Sequence, residues 1–430
     1  MRAARPALCV AVVLSMALTA AAQHRDVVRY EPKYKDPVLT DMEEVDEAQR
    51  EAAKAKTEEI LAEVKAADEA REEAEGKLRF DMSGIARPES PDAFTTRHWH
   101  FPPTPQYMTG ACWSFATTSF LESEIKRTTG QDIKLSEMWT VYWEFVNKAR
   151  GFIATRGESY FEHGSQPAAL IRVYKEHGAM PRAEYEGVVA EDGRFDQNLM
   201  HERMLSLLNW CKEQNFWHEE TVIGMVRRIL DNTMGRPPEA VRWDGVDLQP
   251  QEFLSQICQL DPDDYVGLMS TMAVPFWSRG SYAVPDNWWH DTGYLNVPLD
   301  VWFNVIMKAV SNGHTLAIGG DVSEPGNNGF EDIAVIPSFD IPGEFIDQSA
   351  RELRFNNGST TDDHTVHLVG QTRLDGHDWF LIKDSNRSSR HGKFEGYFMQ
   401  RDDYVKLKML TITVHKDLVR EIIDKVDSGD

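Results

Sequence analysis

The sequence predicts an α+β protein. Three observations carry this: helical apolar periodicity dominates from about residue 112 to 260, period-two alternation dominates from about 265 to 415, and no unit of 20 to 50 residues repeats. A hydrophobic content of 41%, with 12 Trp, 12 Tyr and 20 Phe in 430 residues, supplies a substantial core and excludes a disordered acidic chain.

The elements follow in chain order. Arg2 and Arg5 precede an apolar run from Ala7 to about Leu18, and Ala20 to Ala22 supply small side chains. Residues 1–22 are therefore expected to be a secretory signal cleaved near Ala22, which implies an exported protein, periplasmic or extracellular. The run is shorter than the ~20 residues that span a bilayer, so no transmembrane segment is expected. Residues 23–94 read as an acidic helical arm and linker: Asp41 to Glu75 has no Gly or Pro, and pairs such as Glu51 with Lys54 and Lys54 with Glu58 favour a helix. That stretch holds 14 acids against five bases, and Val45, Ile60, Leu61 and Val64 are too scattered for a heptad seam.

After the Pro-rich approach to Cys112, Phe115, Ala116, Phe120, Leu121 and Ile125 mark one helical face that stops at Gly130. Ser136 is a cap for a second, aromatic helix, and a third runs from Pro167 in its first turn to a stop at Gly178. Helical patterns continue from His201 to Gly235 and from Val246 to Leu260. Extended runs follow at 265–271, 314–320, 363–374, 378–385, 392–400 and 405–415, with Asp375-Gly376 as a hairpin turn. Residues 416–430 form a charged tail.

The formal charge of -23 and the lack of a basic stripe exclude nucleic acid as a partner. Four cysteines, each more than 40 residues from the next, fit no common zinc pattern, and no metal or organic cofactor is expected. Cys9 lies in the signal. Cys211 and Cys258 are either a disulfide or two separate buried thiols.

Cys112 differs from both. Pro102, Pro103 and Pro105 stiffen its lead-in, Gly110 allows an unusual backbone, and the thiol falls at the start of a helix, a setting that favours a thiolate. Such a thiol becomes a nucleophile when an imidazole reaches it.

The run Gln106 to Ala116, with Gln six residues before Cys112-Trp113-Ser114-Phe115-Ala116, resembles the nucleophile segment of papain-like cysteine peptidases, in particular their bleomycin hydrolase and bacterial aminopeptidase C branch. The resemblance implies a papain-like fold with a helical first half, an antiparallel strand-rich second half and a large insertion between them. The domain would span about 95–415, with the insertion at about 195–290. It implies an oxyanion hole from the Gln106 side chain and the Cys112 N–H. Leu135-Ser136-Glu137 resembles the family's helix start, and Gly164-Ser165-Gln166 resembles its substrate-cleft segment with serine in place of the second glycine, a change expected to reshape the cleft. Gly164, Ser165, Trp113 and Asp363 are the substrate-binding residues this implies. Asp363-His364 resembles the family's Asp-His at a strand start and makes His364 the general base. His367, three positions on, falls on the opposite strand face and is a lesser candidate.

The orienting segment departs from the family. Where papain-like enzymes carry Asn-Ser-Trp-Gly, this chain has Asp384-Ser385-Asn386-Arg387. Asp384 is the expected partner of His364, and Asn386 is the alternative in a shifted register. Gly396-Tyr397-Phe398 resembles the family's closing strand, and the segment from Tyr294 to Val322 resembles the branch's helix-to-strand lead into the histidine. Cys112 and His364 stand 252 residues apart, against about 130 to 150 in papain-like chains, which matches the enlarged branch. The function implied is an exported cysteine peptidase acting on peptides or proteins, aminopeptidase-like as in that branch. An endopeptidase, a catalytically weak peptide-binding protein on the same fold and a structural protein acting through the arm are the rivals. A homo-oligomer is a partner the resemblance allows.

Overall fold

Proline or glycine stands at several of the helix limits. The computed structural model describes residues 26–75, 80–188 and 190–429, so the expected signal at 1–22 lies outside the described residues. The chain divides into two units, Met1–Lys77 and Leu78–Asp430. In the first, helix α1 (Pro37–Ala74) starts where the Asp36 carboxylate accepts from the N–H groups of Val38 and Leu39, and none of its residues is buried. Its pairs, such as Lys54 with Glu58 at 3.9 Å, are solvated and contribute only about 0.3–0.5 kcal/mol each.

In the second unit a two-residue strand β1 (Thr96–Arg97) leads to α2 (Cys112–Thr129), α3 (Glu137–Ala154) and α4 (Pro167–His177). Ser136 caps α3 through its hydroxyl, which accepts from Trp139 N at 3.0 Å, as its sequence position suggests. Helix α5 (Asn198–Glu213) packs against α6 (Glu219–Met234), which lies beside α3. Phe120, Leu121, Tyr142, Phe145, Leu170 and Tyr174 meet in this helical core. Each such buried side chain contributes roughly 1.5–3 kcal/mol.

The helical expectation for 246–260 is corrected: strands β2 (Val241–Trp243) and β3 (Val246–Leu248) form a hairpin, followed by one turn, α7 (Pro250–Glu252), and a π turn at Phe253–Ile257. Asp244-Gly245 at positive φ makes the turn, which apolar periodicity does not register. Cys211 and Cys258 are both free and buried, so the chain carries separate thiols here and no disulfide between them.

Then come β4 (Tyr265–Met269), β5 (Ser278–Gly280), β6 (Tyr294–Asn296), α8 (Leu299–Ser311), β7 (Leu316–Gly320), β8 (Asn327–Asn328), β9 (Ile333–Ala334), α9 (Gln348–Asn356), β10 (His364–Leu374), β11 (His377–Lys383), β12 (Tyr397–Arg401), α10 (Asp402–Lys408), β13 (Met409–His415) and α11 (Arg420–Ser428). One sheet of 11 strands runs β5-β6-β4-β13-β7-β10-β11-β12-β9-β8, with β1 beside β10. Most pairs are antiparallel; β12 with β9 and β4 with β6 are parallel. Within the stretch 195–290, β4 and β5 join this sheet. Asp375 and Gly376 at φ 51° and 82° close the β10–β11 hairpin. The strand expected from residue 405 is helical up to Lys408: the Asp403 carboxylate accepts from Tyr404 N and ion-pairs with Arg401, starting α10.

Arg351 ties the sheet half together. Fully buried on α9, it donates to the carbonyls of Ser270 (3.1 Å), Lys406 (2.8 Å), Leu410 (2.9 Å) and Met409, and its guanidinium lies over the Trp302 ring. Arg351→Leu leaves these buried carbonyls without donors, so we expect a loss of about 3–5 kcal/mol in the denaturant unfolding midpoint analysis, with the slope unchanged. A loss under about 1 kcal/mol contradicts this account of the α9 junction.

Candidate active site

The helical half meets the sheet half where α2 begins. Ala111 caps α2 with no side-chain hydrogen bond, so the first N–H groups of an 18-residue helix stay open at Cys112. Cys112 is partly exposed, whereas the thiols of Cys211 and Cys258 are buried. Burial pushes the Cys258 thiol up, and also raises that of Cys211. Among the described residues, Cys112 is therefore the one thiol that combines access with a helix start.

His364, the first residue of β10, is buried at 5% exposure. Its Nε2 lies 2.7 Å from Asp384 Oδ1, and the Cys112 thiol is near enough for its charge to raise the proton affinity of the ring. With Nε2 on Asp384, Nδ1 is the nitrogen left for the sulfur. Burial alone would lower the basicity of this ring, but the charge of Asp384, the charge of Cys112 and the hydrogen bonds to both outweigh it and hold the imidazolium well above its usual range.

Asp384 Oδ1 also accepts from Asn386 N at 2.9 Å, and Asp384 N donates to Gly396 O at 2.9 Å. Asn386 does not reach His364; its side chain faces Ser388 N at the start of the turn Arg387–Arg390. The residue beside the imidazole is thus Asp384, and the shifted register is not adopted. His367 is fully buried, with Nδ1 2.8 Å from Ser119 Oγ, and burial beside Lys383 holds it well below the usual imidazole range. It is a neutral core histidine behind the site.

Gln106 is fixed at both ends of its amide. Nε2 donates to Thr109 O at 2.7 Å, Oε1 accepts from Ser385 Oγ at 2.7 Å, and Gln106 N donates to Ser385 O at 2.9 Å. One Nε2 hydrogen remains free of these partners. Ser385 was not singled out in the sequence, although it stands between Asp384 and Asn386; a hydroxyl flanked by the orienting residue was the available signal. Gly110 does not supply an unusual backbone. Its role is close approach, since a Cβ there would sit 2.4 Å from His163 Cβ, and the positive φ falls at Tyr107.

The four residues expected to touch substrate divide. Trp113 is 1% exposed and aims its indole N–H at His163 O, 3.4 Å away, so it braces the wall from behind. Ser165 is 3% exposed, and its hydroxyl donates to Glu144 Oε1 at 2.8 Å. It turns away from the cleft and does not narrow it, because the buried Glu144 claims the proton. Asp363 accepts from Val322 N at 2.9 Å. Gly164 lies on the cleft wall with the Asp286 carboxylate packed against it. Among the described residues no group of three His, Cys, Asp or Glu side chains is placed to hold a metal, and no helix is long and apolar enough to cross a membrane.

A helical half and a strand-rich half meeting at such a cleft make up the papain-like peptidase architecture. The profile of the Peptidase C1-like family matches residues 162–429, a span that begins after Cys112 and includes His364 and Asp384, and the chain belongs to that family. Bleomycin hydrolase of Gallus gallus is 20% identical over 388 residues, covering 74% of this chain and 81% of that protein. The crystal structure of PepW from Lactobacillus rhamnosis HN001 shares the fold with a TM-score of 0.63 at 18% identity, covering 78% of this chain and 85% of the other.

Proposed function

We propose that the chain is an exported cysteine peptidase of the bleomycin hydrolase type, hydrolysing peptide bonds through an acyl-enzyme on Cys112. The observation that supports this best is the His364 imidazole bonded to Asp384 and held beside Cys112 at the open start of α2. Cys112 Sγ attacks the scissile carbonyl carbon, and the carbonyl oxygen takes the negative charge between the Cys112 N–H and the free Nε2 hydrogen of Gln106. The imidazolium of His364 gives its proton to the leaving nitrogen as the C–N bond breaks. Neutral His364 then takes a proton from water, the hydroxide oxygen bonds to the acyl carbon, and Cys112 leaves as thiolate with the proton back on the ring. Asp384 holds the ring orientation throughout.

Incubating a mixture of short peptides with the wild type and with Cys112→Ala tests the reading: mass spectra should show new termini only with the wild type. Equal product from both, or none from either, contradicts it. Gln106→Ala is expected to lower kcat by about 10²-fold with a smaller change in KM. Ser385→Ala, which frees the amide to rotate, should lower it by about 10-fold. Sequencing the N-terminus of exported protein should find Gln23 first.

A further inference from the structure

The proposed chemistry draws on three elements: Cys112 opens α2, His364 opens β10, and Asp384 follows the last residue of β11. The same three elements meet a second time, deeper in the molecule, through side chains the chemistry does not use. Ser119 lies about two turns along α2 from Cys112, His367 lies three residues along β10 from His364, and Lys383 ends β11 directly before Asp384. His367 and Lys383 are register partners across the β10–β11 pair. Lys383 Nζ donates to Ser119 Oγ at 2.7 Å, and that hydroxyl donates in turn to Nδ1 of the neutral His367 ring, 2.8 Å away. All three side chains are buried, and a small cavity that they line also reaches Asp384 and Ser385.

The trio is an unfavourable way to fill a core. Burial pushes the Lys383 ammonium down to about 8. The charges around it are Glu122 on α2, Glu137 on α3 and Lys134 just before α3. Lys134 already serves both carboxylates, donating to Glu122 Oε1 at 2.9 Å and to Glu137 Oε1 at 2.7 Å. Nε2 of His367 is buried with no hydrogen-bond partner among the described residues. Apolar side chains of similar size would fill this space without those desolvation costs. What they would not supply is direction. Two hydrogen bonds of defined length and angle resist sliding of α2 over the β10–β11 pair, whereas methyl groups pack in several registers.

We infer that Lys383 and Ser119 are positioning residues, which with His367 behind them fix α2 against β10 and β11 and so set the distance from Cys112 to the His364–Asp384 pair. Cys112 and Ser119 ride on one helix, so α2 cannot slide without pulling the Ser119 hydroxyl off both partners. Lys383 and Asp384 share a peptide unit, so the carboxylate beside His364 follows the anchored ammonium. The joint lies behind the reacting atoms and touches no substrate; it acts through the three residues it holds. A misplacement of about 1 Å at a reacting group costs up to about 10²-fold in rate.

This inference rests on the peptidase reading, and one set of measurements keeps their failures apart. Turnover of one unblocked peptide, the rate of Cys112 labelling by a thiol-directed epoxide and the denaturant midpoint are compared for wild type, Lys383→Met, Ser119→Ala and the double variant. Lys383→Met should lower kcat and the labelling rate by about 10-fold and leave KM within about 2-fold, while the midpoint stays or rises. Ser119→Ala should lower kcat by a similar factor and lower the midpoint as well, because it strips a buried ammonium of its acceptor. In the double variant the loss of kcat should equal that of one single variant, since both break the same joint. A kcat within about 2-fold of the wild type in either single variant overturns the inference alone, as does a loss carried by KM or a double variant in which the two losses multiply. A Lys383→Met chain that is less stable than the wild type, or does not fold, also overturns it, by making the joint a matter of stability. A wild type that neither turns over peptide nor labels at Cys112 overturns the peptidase reading and this inference with it.

Discussion

His364→Ala is expected to lower kcat/KM for peptide hydrolysis by about 10⁴-fold, with the protein still folded. On the proposed mechanism the imidazole beside Cys112 and Asp384 is both the proton donor for the leaving amine and the base for water, so its removal eliminates both at once. It also leaves Asp384 buried with only the Asn386 N–H on that oxygen, so some stability is lost as well. Steady-state kinetics on one unblocked peptide measure the loss, and circular dichroism checks the fold. A drop of less than about 10-fold contradicts the assignment, because a bystander histidine of the His367 kind would give that result.

Asp384→Ala should follow at about 10³-fold, and its signature is in the pH profile. The sign follows from the direction of the His364 shift. Burial lowers the ring's proton affinity, while the charges of Asp384 and Cys112 and their hydrogen bonds raise it further than burial lowers it, so the imidazolium survives above its ordinary range. Activity needs that proton for the leaving nitrogen, and it is lost as pH rises through the raised value. Without the Asp384 carboxylate the ring gives up its proton at lower pH. The alkaline limb of kcat/KM should therefore move downward, and the deficit should grow with pH. Asp384→Asn keeps an acceptor for Nε2–H but no charge, so it should recover part of the rate with the limb still displaced. Asn386→Ala should leave the limb in place. A displaced limb in Asn386→Ala with an unmoved one in Asp384→Asn contradicts the arrangement.

Much of the site is legible in the sequence because local signals fix it. Proline at 167 and glycine at 178 bound α4, Asp375-Gly376 turns the β10–β11 hairpin, and Cys112 meets a helix start after three prolines. Each is a short-range steric or dipolar rule that needs no tertiary knowledge. The elements misread are those where tertiary or turn chemistry overrides periodicity. Residues 405–408 read as the start of a strand that runs to 415, yet they fall in α10, whose first turn holds Asp403 paired with Arg401. Residues 246–260 have a helical apolar pattern, yet Asp244-Gly245 folds their start into a hairpin.

The parts of the site that sequence left unread depend on pairings hundreds of residues long. Ser385 Oγ on Gln106 spans 279 residues and Gln166 on Asp362 spans 196. Ser165 reads as a change in the cleft because the resembled family has glycine at that position; the buried Glu144 that accepts its hydroxyl is 21 residues away on α3. The family resemblance located the walls of the cleft, while the directions of individual side chains came from packing.

The central claim is that Cys112 is a nucleophile coupled to His364. Mass spectrometry of the intact protein and of its digests after brief exposure to a limiting thiol-directed epoxide tests it most directly. The account predicts one adduct per chain, on the peptide holding Cys112, with Cys211 and Cys258 unmodified and the rate of labelling sharply reduced in His364→Ala. Labelling spread over the three thiols, or a rate at Cys112 indifferent to His364, would contradict it.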